Sequence, residues 1–283
     1  MKILNLMILA SAISADAIAA GNVFTVEEAA KKGLVKLIIK SKGGYTGKVI
    51  EMKIRNVTNA PLSLRVEAGR RLDSQNNSEQ DILVTKQQSF ALAANQERSY
   101  NVSGMCCQAH NSAPSPNSVY SVGKMADSNL VKLAGFIGRN NYYSNYTAQQ
   151  AVWVVSDNNS IASIECGSRE DVQKLRNYVS QITGRPIPAY DVVYRQQNES
   201  SVAGRAVKVE GVFAYSLNID NKVTIAIFNS EGKQVQLLFD RQPHARGDYK
   251  LFYTFNTSQL PPGTYYAKMM TDGAVMKEEK IEF

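Results

Sequence analysis

The chain has 283 residues, of which 44% are hydrophobic and 20% charged, with a net charge of +7. That length exceeds what a single modest core usually organises, so two or three modules are expected. The positive charge is dispersed: "AKKG" and "GRR" are the densest basic spots and no aromatic residues interleave with a basic stripe, which excludes nucleic acid as a partner.

In chain order, Lys2 is followed by the short apolar run "ILNLMILASAISADAIAA", with Ala17 and Ala19 spaced as at a cleavage site. This predicts a secretory signal peptide over 1–19 and an exported mature chain starting near Ala20. No later stretch approaches the ~18 consecutive apolar residues of a membrane helix, so the mature chain is expected to carry no membrane span. Its expected location is secreted or cell-surface, where disulfides persist.

Residues 20–103 read as a β-sandwich-like module. "LVKLIIK", "KVIEMKIRNV", "LSLRVEAG", "DILVTK" and "SFALAA" alternate as strands do, separated by turn-rich "SKGGYTG", "NVTNAP" and "SQNNSEQ". In the second run, Ile50, Met52, Ile54 and Val57 oppose Val49, Glu51, Lys53 and Arg55.

The period then changes, and 104–184 reads as a helical region containing a cysteine pair. "SNLVKLAGFIGRN" places Leu130, Leu133, Ala134 and Ile137 on one face after Asp127 and Ser128. "TAQQAVWVVSDN" offers Thr147 and Gln150 as a capping box. "SREDVQKLRNYVSQITGRP" has Ser168 as cap, Glu170 and Asp171 in the first turn, a stripe of Val172, Leu175, Val179 and Ile182, and Gly184 as stop. Prolines and "NESS" mark 185–204 as a linker. Residues 205–283 return to strands, with "SEGK" and "TDGA" as hairpin turns. The fold class is thus mainly β with a helical middle.

The last segment, with its "SEGKQV" hairpin, "ARGDYKL", "LPPGTYYAKM" and basic "KEEKIEF", resembles the Ig-like sorting domains of type IX secretion and the related flagellar-hook-cap Ig module. The resemblance implies a C-terminal Ig-like β-sandwich, a secretion-sorting or spacer role, and a Gram-negative source. "TAQQAVWVVSDN" also resembles the Thr-Gln-x-Ala-Ile-Trp signature of thioester adhesin domains. This second resemblance implies that Gln149 is joined to Cys106 or Cys107 as an internal thioester, open to attack by an amine of a partner.

The cysteines leave several readings open. "SGMCCQAHNS" sets Cys106 beside Cys107 with His110 three residues on, and Cys166 is the third cysteine. A disulfide from Cys166 to Cys106 or Cys107 would close a loop of about 60 residues and stabilise by roughly 4 kcal/mol. Zinc held by Cys106, Cys107, His110 and Cys166, or a Cys107–His110 nucleophile and base, are the competing chemistries. No phosphate loop, nucleophile elbow or zinc-helix motif appears, so no catalytic or metal residue is assigned and no cofactor is expected. The sequence points to an exported binding or adhesion protein whose partner is an extracellular protein or glycan. The alternative is a cysteine-dependent enzyme or a thioester-forming covalent adhesin.

Overall fold

The computed structural model describes residues 23–195 and 204–283. The expected signal peptide, 1–19, and residues 196–203 of the expected linker lie outside the described residues. Among those described, the chain is mainly β, with sixteen strands and four α-helices. No helix of the described residues is long and apolar enough to cross a membrane.

The N-terminal part begins with a short strand, β1 (Val23–Thr25), and a helix the sequence reading missed, α1 (Val26–Lys31). Thr25 accepts from the Glu28 N–H while the Glu28 carboxylate accepts from the Thr25 N–H, a reciprocal cap. Strands β2 (Val35–Ser41), β3 (Thr46–Asn56), β4 (Leu62–Val66), β5 (Arg70–Ser74), β6 (Ile82–Val84), β7 (Gln88–Leu92), β8 (Glu97–Cys106) and β9 (Val119–Met125) follow. Six of them close a barrel in the order β2-β3-β8-β6-β5-β9, and β1, β4 and β7 form a separate three-stranded sheet.

The module is therefore a closed barrel with a side sheet, which refines the sandwich-like expectation. It also runs past residue 103, because the closing strand β9 comes from the segment read as helical. Period-two burial on β3 behaves as expected for Ile50, Met52 and Ile54, all buried. Val49 is buried as well, next to a register shift between Gly47 and Ile50, and Val57 is exposed beyond the strand's end. Gly104 on β8 has no room for a side chain: a Cβ there would lie 2.4 Å from Ile82 Cγ2 on the neighbouring strand.

Three helices pack beside the barrel: α2 (Ser128–Arg139), α3 (Tyr146–Ser156) and α4 (Arg169–Thr183). Asp127 caps α2, and Leu130, Leu133, Ala134 and Ile137 are its buried face, as the spacing predicts. Ser168 caps α4, and Gly184 ends it in the left-handed conformation at φ 72°. The start of α3 differs from the sequence reading. Asn145 is its N-cap, accepting from the Ala148 N–H, and Thr147 lies inside the helix. Gln150 is not a capping partner; its Oε1 accepts from the Glu165 and Cys166 N–H groups.

The C-terminal part is a two-sheet sandwich. One sheet has the order β10-β11-β14, from Tyr190–Arg195, Arg205–Leu217 and Gly247–Asn256. The other has β13-β12-β15-β16, from Gln234–His244, Asn221–Asn229, Thr264–Thr271 and Ala274–Glu282. Phe213, Val223, Ile225, Ile227, Phe255 and Ala267 are its fully buried centre. "SEGK" and "TDGA" are the β12–β13 and β15–β16 turns, with Gly232 at φ 80° and Asp272 and Gly273 at φ 47° and 82°. Strand β10 was not foreseen: it lies within the stretch read as linker, yet pairs antiparallel with β11.

Candidate functional site at the barrel–helix seam

Strand β8 leaves the barrel at the two adjacent cysteines. Consecutive residues of an extended chain point to opposite sides, and these two part accordingly. Cys106 joins the barrel core with Ile50, Ile82 and Trp153, whereas Cys107 joins the helical core with Leu133, Val152 and Leu175. A small apolar side chain suits both places.

Helix α3 is fastened to this point through one face. Gln149, Trp153 and Asp157 recur every four residues, so they stand in a row. Gln149, with no exposed surface, accepts from the Cys106 N–H at 3.0 Å through Oε1 and donates from Nε2 to the Cys106 carbonyl at 2.8 Å. Its side-chain amide thus pairs with Cys106 as a neighbouring strand's peptide group would. Trp153 donates from its indole N–H to Gln80 Oε1 at 3.0 Å, and the Asp157 carboxylate accepts from the Ala109 N–H at 2.9 Å. Gln80 extends the tether, donating to the Asn111 carbonyl and accepting at its own carbonyl from the Tyr120 hydroxyl.

Aromatic rings line the approach. Tyr146 meets Tyr45 edge-on at 5.7 Å and Trp153 at 6.3 Å between centroids. A pocket of ~50 Å³ opens beside them, with Gln150, Ala109 and Tyr194 also in its wall.

Burial sets the thiol chemistry. It raises the Cys106 thiol far above its ordinary value and pushes Cys107 up to about 12, despite the Arg71 guanidinium that favours the thiolate of Cys107. Both are neutral thiols near neutral pH, whereas the nucleophilic species is the thiolate. Cys166 is exposed, lies 3.8 Å from the Glu165 carboxylate, and is also shifted up, by desolvation first and by Glu165 second.

The three cysteines are free thiols in the structure, so it contains no bond from Cys166 to Cys106 or Cys107. His110 is exposed while Cys107 beside it is buried, so the two do not form a presented nucleophile and base. Among the described residues no group of three or more His, Cys, Asp or Glu is placed to hold a metal ion, which separates the four residues weighed for zinc. The Gln149 side chain, by contrast, is brought to the Cys106 backbone.

The fold defines a barrel-and-helix body joined to an Ig-like sandwich. Residues 209–281 match the model of the secretion system C-terminal sorting domain, and the C-terminal module is a sorting domain of type IX secretion. Such a domain marks an exported protein. No curated protein matches the chain. Among solved structures, the crystal structure of red sea bream transglutaminase is aligned over 90% of this chain and 33% of that one, at 10% identity and a TM-score of 0.20. This chain spans about a third of that protein's length, and a likeness so weak carries no argument.

Proposed function

We propose that the protein is an exported binding or adhesion protein, in which the barrel-and-helix body meets an extracellular protein or glycan and the C-terminal sandwich directs export. The observation that supports a non-enzymatic body is the condition of its thiols. Cys106 and Cys107 are buried and protonated, and no histidine is presented to them. The test compares the purified full chain with its Cys107→Ser variant, on immobilised glycans and extracellular matrix proteins and on peptide and ester substrates. Saturable binding retained by the variant supports the reading. Hydrolysis abolished by the substitution contradicts it.

A second reading, covalent attachment, is favoured by the pairing of the Gln149 side chain with the Cys106 backbone, which sets the amide beside the residue that carries the thiol. The Cys106 thiol would add to the Gln149 side-chain carbon; the S–C bond forms, the C–N bond breaks, and the nitrogen leaves with the thiol proton as ammonia. A primary amine of the partner would then attack the same carbon and release the thiol, leaving an amide. Incubation with methylamine, followed by peptide mass mapping, tests this: an adduct on Gln149 together with a newly alkylatable Cys106 supports it. An intact mass equal to that of the unmodified chain, with no adduct, refutes it and leaves the pairing as a tether.

A further inference from the structure

The sorting-domain match begins at residue 209, but the sandwich it belongs to begins at Tyr190. Strand β10 fills the edge of β11 over Tyr190–Gly211 to Arg195–Arg205 register pairs, and places Val192, which has no exposed surface, against Val209 in the sandwich core. Tyr190 also reaches the far sheet, its hydroxyl accepting from the Glu282 N–H at 2.8 Å.

The same strand is held from behind by the body. Asp191 pairs with Arg176 of α4 at 2.5 Å, and that guanidinium also donates to the Ile164 and Ala162 carbonyls. The Tyr194 N–H donates to Glu165 at 3.0 Å, and its hydroxyl bonds Ser163 at 3.0 Å. Ala162, from the short 3-10 turn Ile161–Ser163, is itself part of the sandwich core. The strand is therefore bonded to both modules, to the body through Asp191 and Tyr194 and to the sandwich along its length.

We propose that the C-terminal module is a strand acceptor. The edge of β11 binds an extended segment of the pattern Tyr-x-Val-x-Tyr, supplied here by the chain's own Tyr190–Arg195, and this contact holds the module to the body independently of the covalent connection through residues 196–203. Without β10, the Arg205–Gly211 stretch of β11 would form an open edge with unpaired backbone groups and an uncovered core position at Val209. The fitting partner is an extended peptide of that pattern, added by β-augmentation.

The experiment places a site-specific protease recognition sequence within residues 196–203 of the full chain, cuts the folded protein, and follows both fragments by size-exclusion chromatography. We expect the cut fragments to elute together, and an excess of a synthetic peptide of residues 186–195 to displace the C-terminal fragment. The Val192→Asp form of that peptide should compete roughly a hundredfold less well, because it carries an unpaired charge into the core. The peptide comparison does not require any variant of the protein itself to fold. Fragments that separate at once while both stay folded overturn the proposal. So do fragments that stay together but ignore the peptide, since the rest of the interface would then be holding them.

Discussion

Replacing Gln149 with Glu tests the amide pairing with a change of one heavy atom's identity and almost none of shape. Protonated, the new side chain accepts from the Cys106 N–H and donates to the Cys106 carbonyl, as the glutamine does. Ionised, it sets a negative charge against that carbonyl oxygen at a position with no exposed surface. Burial favours the neutral acid, so the folded pKa of the variant rises above the unfolded value of about 4.3. The stability it shares with the wild type is then fully present below about pH 4. Above that it falls by about 1.4 kcal/mol per pH unit until the folded pKa is reached. A shift of about three units, the low end for a fully buried carboxyl, gives a loss of about 4 kcal/mol by roughly pH 7.5. That is a large part of the 5–15 kcal/mol typical of a folded domain. Urea unfolding of both proteins from about pH 4 to about pH 8 measures the difference directly. A difference that stays constant across this range would refute the reasoning, because it would mean that Gln149 does not hold both polar groups of Cys106 in a dry site.

Alkylation of the native protein near neutral pH should label Cys166 within the time that leaves Cys106 and Cys107 unlabelled, since Cys166 is exposed and the other two are buried with raised pKa values; equal labelling of all three would show the seam to be open. Arg70→Met should cost about 3–5 kcal/mol in a denaturation experiment. Its guanidinium, with 4% of the side chain exposed, pairs Glu67 at 2.7 Å, also pairs Glu27, and donates to the Gly123 carbonyl, which ties α1 to the barrel. A loss below about 1 kcal/mol would mean the two carboxylates find water instead. Gly104→Ala should cost about 1–3 kcal/mol, as the added methyl meets Ile82 and the Leu83 carbonyl; an unchanged melting temperature would place β6 and β8 further apart than described.

How far the sequence announces this structure depends on the distance over which each feature is decided. Helix α4 is written locally: Ser168, Glu170, Asp171, Leu175, Val179 and Gly184 each act within a turn or two, and each does what its type predicts. At the start of α3 two capping types compete, and Asn145 holds the cap while Thr147 and Gln150 are claimed by residues near Cys166. The capping box of α1 is written locally too, as Thr25-x-x-Glu28, but the helix it starts has only six residues, too few for a clear helical period.

At the candidate site, the motif resemblance paired Gln149 with Cys106 or Cys107, and the four-residue spacing of Gln149 from Trp153 implies a shared helix face. Their bonding partners were out of view, because Gln149 reaches across 43 residues and Trp153 across 73 to Gln80. Arg176, a charge on an otherwise ordinary amphipathic helix, gave no sign that it would be buried at 9% exposure between two modules. Strand β10 was hidden for a related reason: "YDVVYR" is a plausible strand, but prolines before it and polar residues after it make a stronger linker signal than six residues can counter.

The barrel's last strand also fixes an order of events for a chain made from its N-terminus. β9 is the piece that joins β2 to β5, so both of those edges stay open until Val119–Met125 has been synthesised. The cysteine pair comes before that point, and the helix that covers it comes after, at Tyr146–Ser156. For that interval, two thiols at the rim of an unclosed barrel face an environment from which the finished molecule shields them. The stretch from Cys106 to Ser156 is thus the interval in which open edges can misjoin, and a pause or truncation within it should be far more damaging than one after α4.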